Sequence, residues 1–211
     1  MIAFFPGAGS FGGASPPRAR TVKYPGRYGT DPTSSFDDLV RSCAKQADTV
    51  LFGHSFGAYV AFAVASALGD EVTALVVSGA NARVHVPEQA TTTPSDTATY
   101  LDAVDPRALA DAPSDEWREI IAETAMEDLR LLTGFDPAAV EPVRCPIFAV
   151  RGDQDPLTSD EGIRAWGSRT SGPFTEHVFP GGHSDFLTGD ELASWLASPF
   201  GPEAAAREVP E

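Results

Sequence analysis

The sequence predicts an α/β protein built on a mainly parallel sheet with helices on both faces. Three observations carry that expectation. Short apolar runs recur along the chain between turn residues, helical patterns separate most of them, and one run leads almost directly into a long alanine-rich segment.

The expected strands are Ile2–Phe5 (IAFF), Thr21–Tyr24 (TVKY), Thr49–Phe52 (TVLF), Val72–Ser78 (VTALVVS), Pro146–Val150 (PIFAV) and His177–Phe179 (HVF). Strands joined through helices pair in parallel, and a parallel sheet must be covered on both faces. The segment Phe56–Leu68, FGAYVAFAVASAL, reads as a buried helix that Gly69 stops. Residues 83–142 form an insertion before PIFAV. Within it Ser114 can cap a helix with Asp115 and Glu116 in its first turn, and Trp117, Ile120, Ile121, Ala125, Leu129 and Leu132 share one stripe. That stripe fits a helical lid, and it fits an ordinary core helix equally. The tail 199–211 has little to bury and is expected to be disordered. With 211 residues, a single domain over 1–211 is expected.

The formal net charge of -15 argues against nucleic acid as a partner, because phosphate neutralisation needs clustered Lys and Arg. No apolar run approaches the roughly 18 residues of a membrane span, and no basic leader precedes the first strand. A cytoplasmic protein without a membrane partner is therefore expected. Two cysteines, Cys43 and Cys145, make no disulfide framework and read as buried thiols.

Gly53-His54-Ser55-Phe56-Gly57 matches G-x-S-x-G, in which a serine sits on a sharp strand-to-helix turn. The motif alone is weak, but TVLF supplies the strand before it and the alanine-rich segment the helix after it. Ser55 is thus the expected nucleophile. A serine hydroxyl needs a base, and of the four histidines His183, in the glycine-rich loop PGGH after the last strand, suits that role. His54, His85 and His177 read as structural. An acid must orient the imidazole, and the loop after PIFAV, Arg151-Gly152-Asp153-Gln154-Asp155-Pro156, offers two. Asp155 is preferred because Pro156 restrains it, whereas Asp153 suits organising the turn. The chain order Ser55, Asp155, His183 is that of an α/β-hydrolase.

The opening stretch GAGSFG, Gly7 to Gly12, fits G-x-G-x-x-G, yet it runs into Pro16 and Pro17 where a dinucleotide loop must open a helix. No acid closes the second strand either. In a hydrolase this loop supplies an oxyanion-hole amide, and Ala8 together with Phe56 are the expected donors. His177, His183 and Asp185 lack a closing set of ligands for a metal, so neither a metal nor an organic cofactor is expected.

Beyond these motifs the sequence resembles the type II thioesterases of polyketide and nonribosomal peptide biosynthesis. The likeness rests on FFPGAGS, KYPGR, LFGHSFGAYVAF, SGANA, RCPIFAVRGDQDPLT and AWGSRTSGPFTEHVFPGGHSDFL, in family order along nearly the whole chain. The resemblance implies an α/β-hydrolase fold with a helical lid. It also implies hydrolysis of acyl thioesters on the phosphopantetheine arm of an acyl or peptidyl carrier protein. Related carrier-fused enzymes often place the acid after the strand that follows the elbow; here that position reads SGAN, which favours Asp155. Two departures stand out: the first helix is shortened or lost between Phe11 and Val22, and Ser184 and Asp185 follow the histidine where the family tends to have aromatic residues. Asp185 could bind or misdirect His183. Arg83, Arg107 and Arg118 are candidate carrier contacts, each also readable as solvated surface. A chain-releasing cyclase or acyltransferase and a free-standing carboxylesterase would share the triad; a degenerate binding module would not need it.

Overall fold

A computed structural model describes residues 1–110, 112–198 and 201. Six strands form one sheet: β1 (Ile2–Phe5), β2 (Ala19–Thr21), β3 (Val50–His54), β4 (Ala74–Ser78), β5 (Ile147–Gly152) and β6 (Phe174–Phe179). They lie in the order β2-β1-β3-β4-β5-β6 and every neighbouring pair is parallel. The expected disordered tail lies, apart from residue 201, outside the described residues.

Both sheet faces are apolar, as the alternation of strand side chains requires. Ala3, Phe5, Leu51, Leu75, Val77, Ile147 and Ala149 point to one side, where α1 (Phe36–Ala44) and α2 (Phe56–Leu68) pack. Ile2, Phe4, Val50, Phe52, Val76, Phe148 and Val150 point to the other, against Leu192 and Leu196 of α7 (Asp190–Leu196). The buried α2 is apolar on all sides, which is why its sequence shows no clean stripe.

The two edge strands differ most from the sequence reading, while β3, β4 and β5 shift by one or two residues at their ends. The second strand ends at Thr21, because its edge position leaves only β1 to pair with; Val22 N still donates to Phe4 O at 2.8 Å before the chain turns away. The sixth begins at Phe174, since β5 offers partners over its whole length. Residues 6–18 connect β1 to β2 without a helix, in keeping with the shortened first helix expected there.

Between β4 and β5 the insertion contributes α3 (Pro94–Val104), α4 (Arg107–Ala110) and α5 (Asp115–Leu132), and α6 (Asp160–Arg164) follows β5. Ser114 caps α5 by accepting from Trp117 N at 3.3 Å. Ala122, Ala125, Leu129 and Leu132 of α5 are buried, whereas Trp117, placed on the same stripe by spacing, is 40% exposed and meets the Phe11 ring edge-on at 5.5 Å.

Candidate active site

The C-terminal ends of the parallel strands gather the candidate residues at one edge, where such sheets leave a crevice. Ser55 follows β3 at φ 56, ψ -122 and heads α2. A positive φ on a serine costs about 1–3 kcal/mol, so the turn must be held by its surroundings. It is held closely. A Cβ on Gly57 would fall 2.0 Å from Phe5 O, one on Gly53 would fall 2.2 Å from Gly57 O, and Ser55 N donates to Ser78 O at 2.7 Å.

His183 Nδ1 lies 3.0 Å from Asp155 Oδ2, with side chains 4% and 0% exposed. An ionised carboxylate only accepts, so Nδ1 carries the proton and Nε2 is left as the basic nitrogen. The second oxygen, Oδ1, accepts from Leu157 N at 2.9 Å and fixes the carboxylate plane. Asp153 lies elsewhere: its Oδ1 accepts from Gly181 N at 2.8 Å, joining the Asp155 loop to the His183 loop. Ser55 Oγ makes no hydrogen bond to His183 among the described residues. The two are linked through Gly79, adjacent to Ser78, whose added Cβ would lie 2.9 Å from His183 Cε1.

His54, read from sequence as structural, sets its ring 4.7 Å from that of His183 at an interplanar angle of 46° and approaches Ser78 Oγ at 3.1 Å through Nδ1. Burial first, and the neighbouring His183 charge second, hold its pKa well below the usual histidine range. It is therefore neutral and leaves His183 as the imidazole paired with a carboxylate. His85 is exposed, and His177 stacks on Trp195 at 5.5 Å, remote from this edge.

The Pro6–Ser10 loop stands beside the elbow, where a Cβ on Gly7 would lie 3.6 Å from Ser55 Cβ. Neither Ala8 N nor Phe56 N donates a hydrogen bond among the described residues, and Phe56 N belongs to the first turn of α2, where amides point outward with the positive end of the helix dipole. Tyr24 braces both: its hydroxyl donates to Pro6 O at 2.9 Å and its ring meets Phe56 edge-on at 5.8 Å.

Three contacts escaped the sequence reading. Asn81 stands where carrier-fused relatives put an acid, and it braces the Asp155 loop: Nδ2 donates to Leu157 O at 3.0 Å and Oδ1 accepts from Ser159 N at 3.1 Å. Asp185 does not touch His183; it accepts from Gly182 N at 2.7 Å and pairs with Arg107 Nε at 2.8 Å, while Ser184 Oγ donates to Asp105 at 2.8 Å. The insertion is thus tied to the histidine loop by two polar contacts. Finally, Asp128 of α5 pairs with Arg27 and accepts from Gly9 N at 2.8 Å. Arg118 pairs with Asp102 at 3.1 Å inside the insertion, so of the three candidate arginines two are engaged in ion pairs, Arg118 within the insertion and Arg107 across to the histidine loop.

A cavity of about 700 Å³ opens beside the elbow, lined by Phe4, Ala8, Phe11, His54, Trp117 and Ile121 among others. Among the described residues no group of acidic, histidine or cysteine side chains is arranged to hold a metal, and no helix is long and apolar enough to cross a membrane.

A thioesterase domain family model matches residues 10–198. Thioesterase TesA of Mycobacterium marinum is 32% identical over 179 residues, which cover 77% of this chain and 71% of that protein. The type II thioesterase BorB from the borrelidin biosynthetic cluster superposes with a TM-score of 0.69 at 28% identity, covering 88% of this chain and 86% of BorB. RedJ, a thioesterase from the prodiginine pathway in Streptomyces coelicolor, superposes at 0.78 with 24% identity over 91% of this chain and 83% of RedJ, which shows the shared α/β-hydrolase fold expected from the sequence.

Proposed function

The chain belongs to the thioesterase domain family, and on that footing we propose that it releases acyl groups from the phosphopantetheine arm of a carrier protein through an acyl-enzyme on Ser55. The observation that carries this reading is the buried His183–Asp155 pair, with Nε2 left free, at the same sheet edge as the strained Ser55 turn.

In the first half-reaction Ser55 Oγ attacks the thioester carbonyl while His183 Nε2 takes its proton. Asp155 holds the imidazole in the required tautomer and offsets the charge that forms on it. The amides of Ala8 and Phe56 receive the oxyanion; removing one such donor typically slows turnover about 100-fold to 1000-fold. His183 then passes the proton to the departing sulfur, a thiolate whose conjugate acid has a pKa of about 8.5 and which leaves readily. In the second half, His183 deprotonates a water that attacks the ester on Ser55, then returns that proton to Ser55 Oγ as the acyl C–O bond breaks and the free acid departs. The carbon chain lies in the cavity under Phe11, Trp117 and Ile121, with α3 to α5 serving as the lid. Every step uses side chains, backbone amides and water.

The test is intact-protein mass spectrometry of an acyl-loaded carrier protein incubated with wild-type enzyme or Ser55→Ala. Loss of the acyl mass with wild type alone, together with free acid and free pantetheine thiol, is expected. An acyl group that stays in place across several chain lengths overturns the carrier reading; transfer to an added alcohol or amine in place of water points to a releasing acyltransferase.

A further inference from the structure

The pair Arg27–Asp128 is buried with side chains 2% and 8% exposed, a costly placement for two charges. Burial pushes the Asp128 carboxyl above its ordinary pKa, against which the Arg27 charge and the Gly9 amide act. Arg27 also lies over the Tyr24 ring, 5.0 Å from its centroid, and over Phe11 at 5.8 Å. Apolar side chains of similar volume would pack here without that cost. The placement instead serves the loop carrying Ala8. Ser10 N donates to Gly7 O at 3.3 Å, which sets the plane of the Gly7–Ala8 peptide and so the direction of Ala8 N–H. The next peptide is set by Gly9 N donating to Asp128 Oδ2 at 2.8 Å. Gly9 is pressed so close to α5 that a Cβ there would lie 2.7 Å from Ile121 O and 2.8 Å from Ala125 Cβ.

We propose that Asp128, held by Arg27, is a positioning residue for the oxyanion hole: the insertion helix fixes the Ala8–Gly9 peptide and thereby aims Ala8 N–H at the reacting carbonyl. This rests on the triad reading above. Arg27 keeps the carboxylate's charge from opposing the oxyanion that forms nearby, and Asp128 supplies the acceptor that a turn of this shape otherwise lacks.

Two double variants separate positioning from packing. Arg27→Met with Asp128→Ala removes both charges and the acceptor; Arg27→Met with Asp128→Asn removes the charges and keeps an amide oxygen for Gly9 N–H. Steady-state kinetics are measured on a short acyl thioester of N-acetylcysteamine, with thermal unfolding alongside. The alanine variant is expected to lose about 100-fold in kcat with KM within about 3-fold, the size of effect that misplacing one catalytic group produces. The asparagine variant is expected to recover to within about 10-fold of wild type, and hydrogen exchange in the Pro6–Phe11 peptide is expected to quicken in the alanine variant alone. Equal kcat in the two variants, whether high or low, overturns the positioning role while leaving the triad reading intact. A wild-type enzyme no faster than Ser55→Ala overturns the triad reading, and this inference with it.

Discussion

Replacing Asp155 by Asn isolates the tautomer argument, because the two side chains are nearly equal in volume and the site is fully buried. Which amide atom faces the imidazole is decided by Leu157 N, which lies 2.9 Å from Oδ1 and must be given an acceptor. The amide oxygen takes that place, so Nδ2 occupies the Oδ2 position 3.0 Å from His183 Nδ1. Two donors cannot share one bond. His183 therefore gives up its Nδ1 proton and carries it on Nε2, so the nitrogen proposed as the base becomes a donor and cannot take the Ser55 proton. A triad with the wrong tautomer loses about 10,000-fold in kcat, or about 5.4 kcal/mol of transition-state stabilisation. The count of hydrogen bonds is unchanged, so stability is expected to move by only about 1 kcal/mol, the difference between a charge-assisted and a neutral bond. The assay is kcat on a soluble acyl thioester, paired with a thermal melt and with the Asp153→Asn control, which is expected to stay within about 10-fold of wild type. Asp155→Asn retaining more than about 1% of wild-type kcat while melting normally refutes the assignment of Asp155 as the orienting acid.

Two further outcomes concern the histidines. His54 has a depressed pKa when folded, so the unfolded chain binds the extra proton below its own pKa near 6.5; stability is full above that value and falls by about 1.4 kcal/mol per pH unit as the pH drops toward the folded pKa. His54→Asn keeps a polar atom near Ser78 Oγ, and comparing the pH dependence of its melting temperature with that of wild type should show this acid sensitivity reduced. Gly79→Ala places a methyl 2.9 Å from both His183 Cε1 and His54 Cε1 at a residue with φ +62. The backbone cost is about 1–2 kcal/mol, whereas kcat is expected to fall about 100-fold because the imidazole must move; a melt shift without a rate loss would show the ring to be free to slide.

The fold was legible because each inner strand of a covered parallel sheet announces itself as a short apolar run, and Ile2–Phe5, Val50–His54, Ala74–Ser78 and Ile147–Gly152 are buried almost throughout. Edge strands were read less well: Phe174–Phe179 exposes Thr175 and Glu176, whose polarity hides a strand that begins three residues earlier than the apolar HVF. The helix Phe36–Ala44 was legible after the fact in Ser35, whose side chain accepts from Asp38 N, and in the spacing of Phe36, Leu39, Val40 and Cys43. At the site, the elbow, PGGH and the Asp155 loop carry local signatures, since strained turns demand glycine and proline. The Arg27–Asp128 contact carries none across so long a separation. Its one trace is a carboxylate within the buried stripe of α5, between Ala125 and Leu129. Ser184 and Asp185 read as departures from the family pattern, and their meaning becomes visible only when Asp105 and Arg107 are brought across to meet them.

Among the described residues the insertion 83–142 makes polar contacts with the loops of the site at two separate points: Asp128 against the loop of Ala8, and Asp105 with Arg107 against the residues after His183. Such a segment is poorly suited to exchange as a cassette. A chimera that transplants it from a relative into this scaffold must carry matching partners for Arg27, Gly9, Ser184 and Asp185, or two loops lose their outer supports together. Recombination would succeed more readily at junctions that keep each anchor with its loop than at the ends of the insertion.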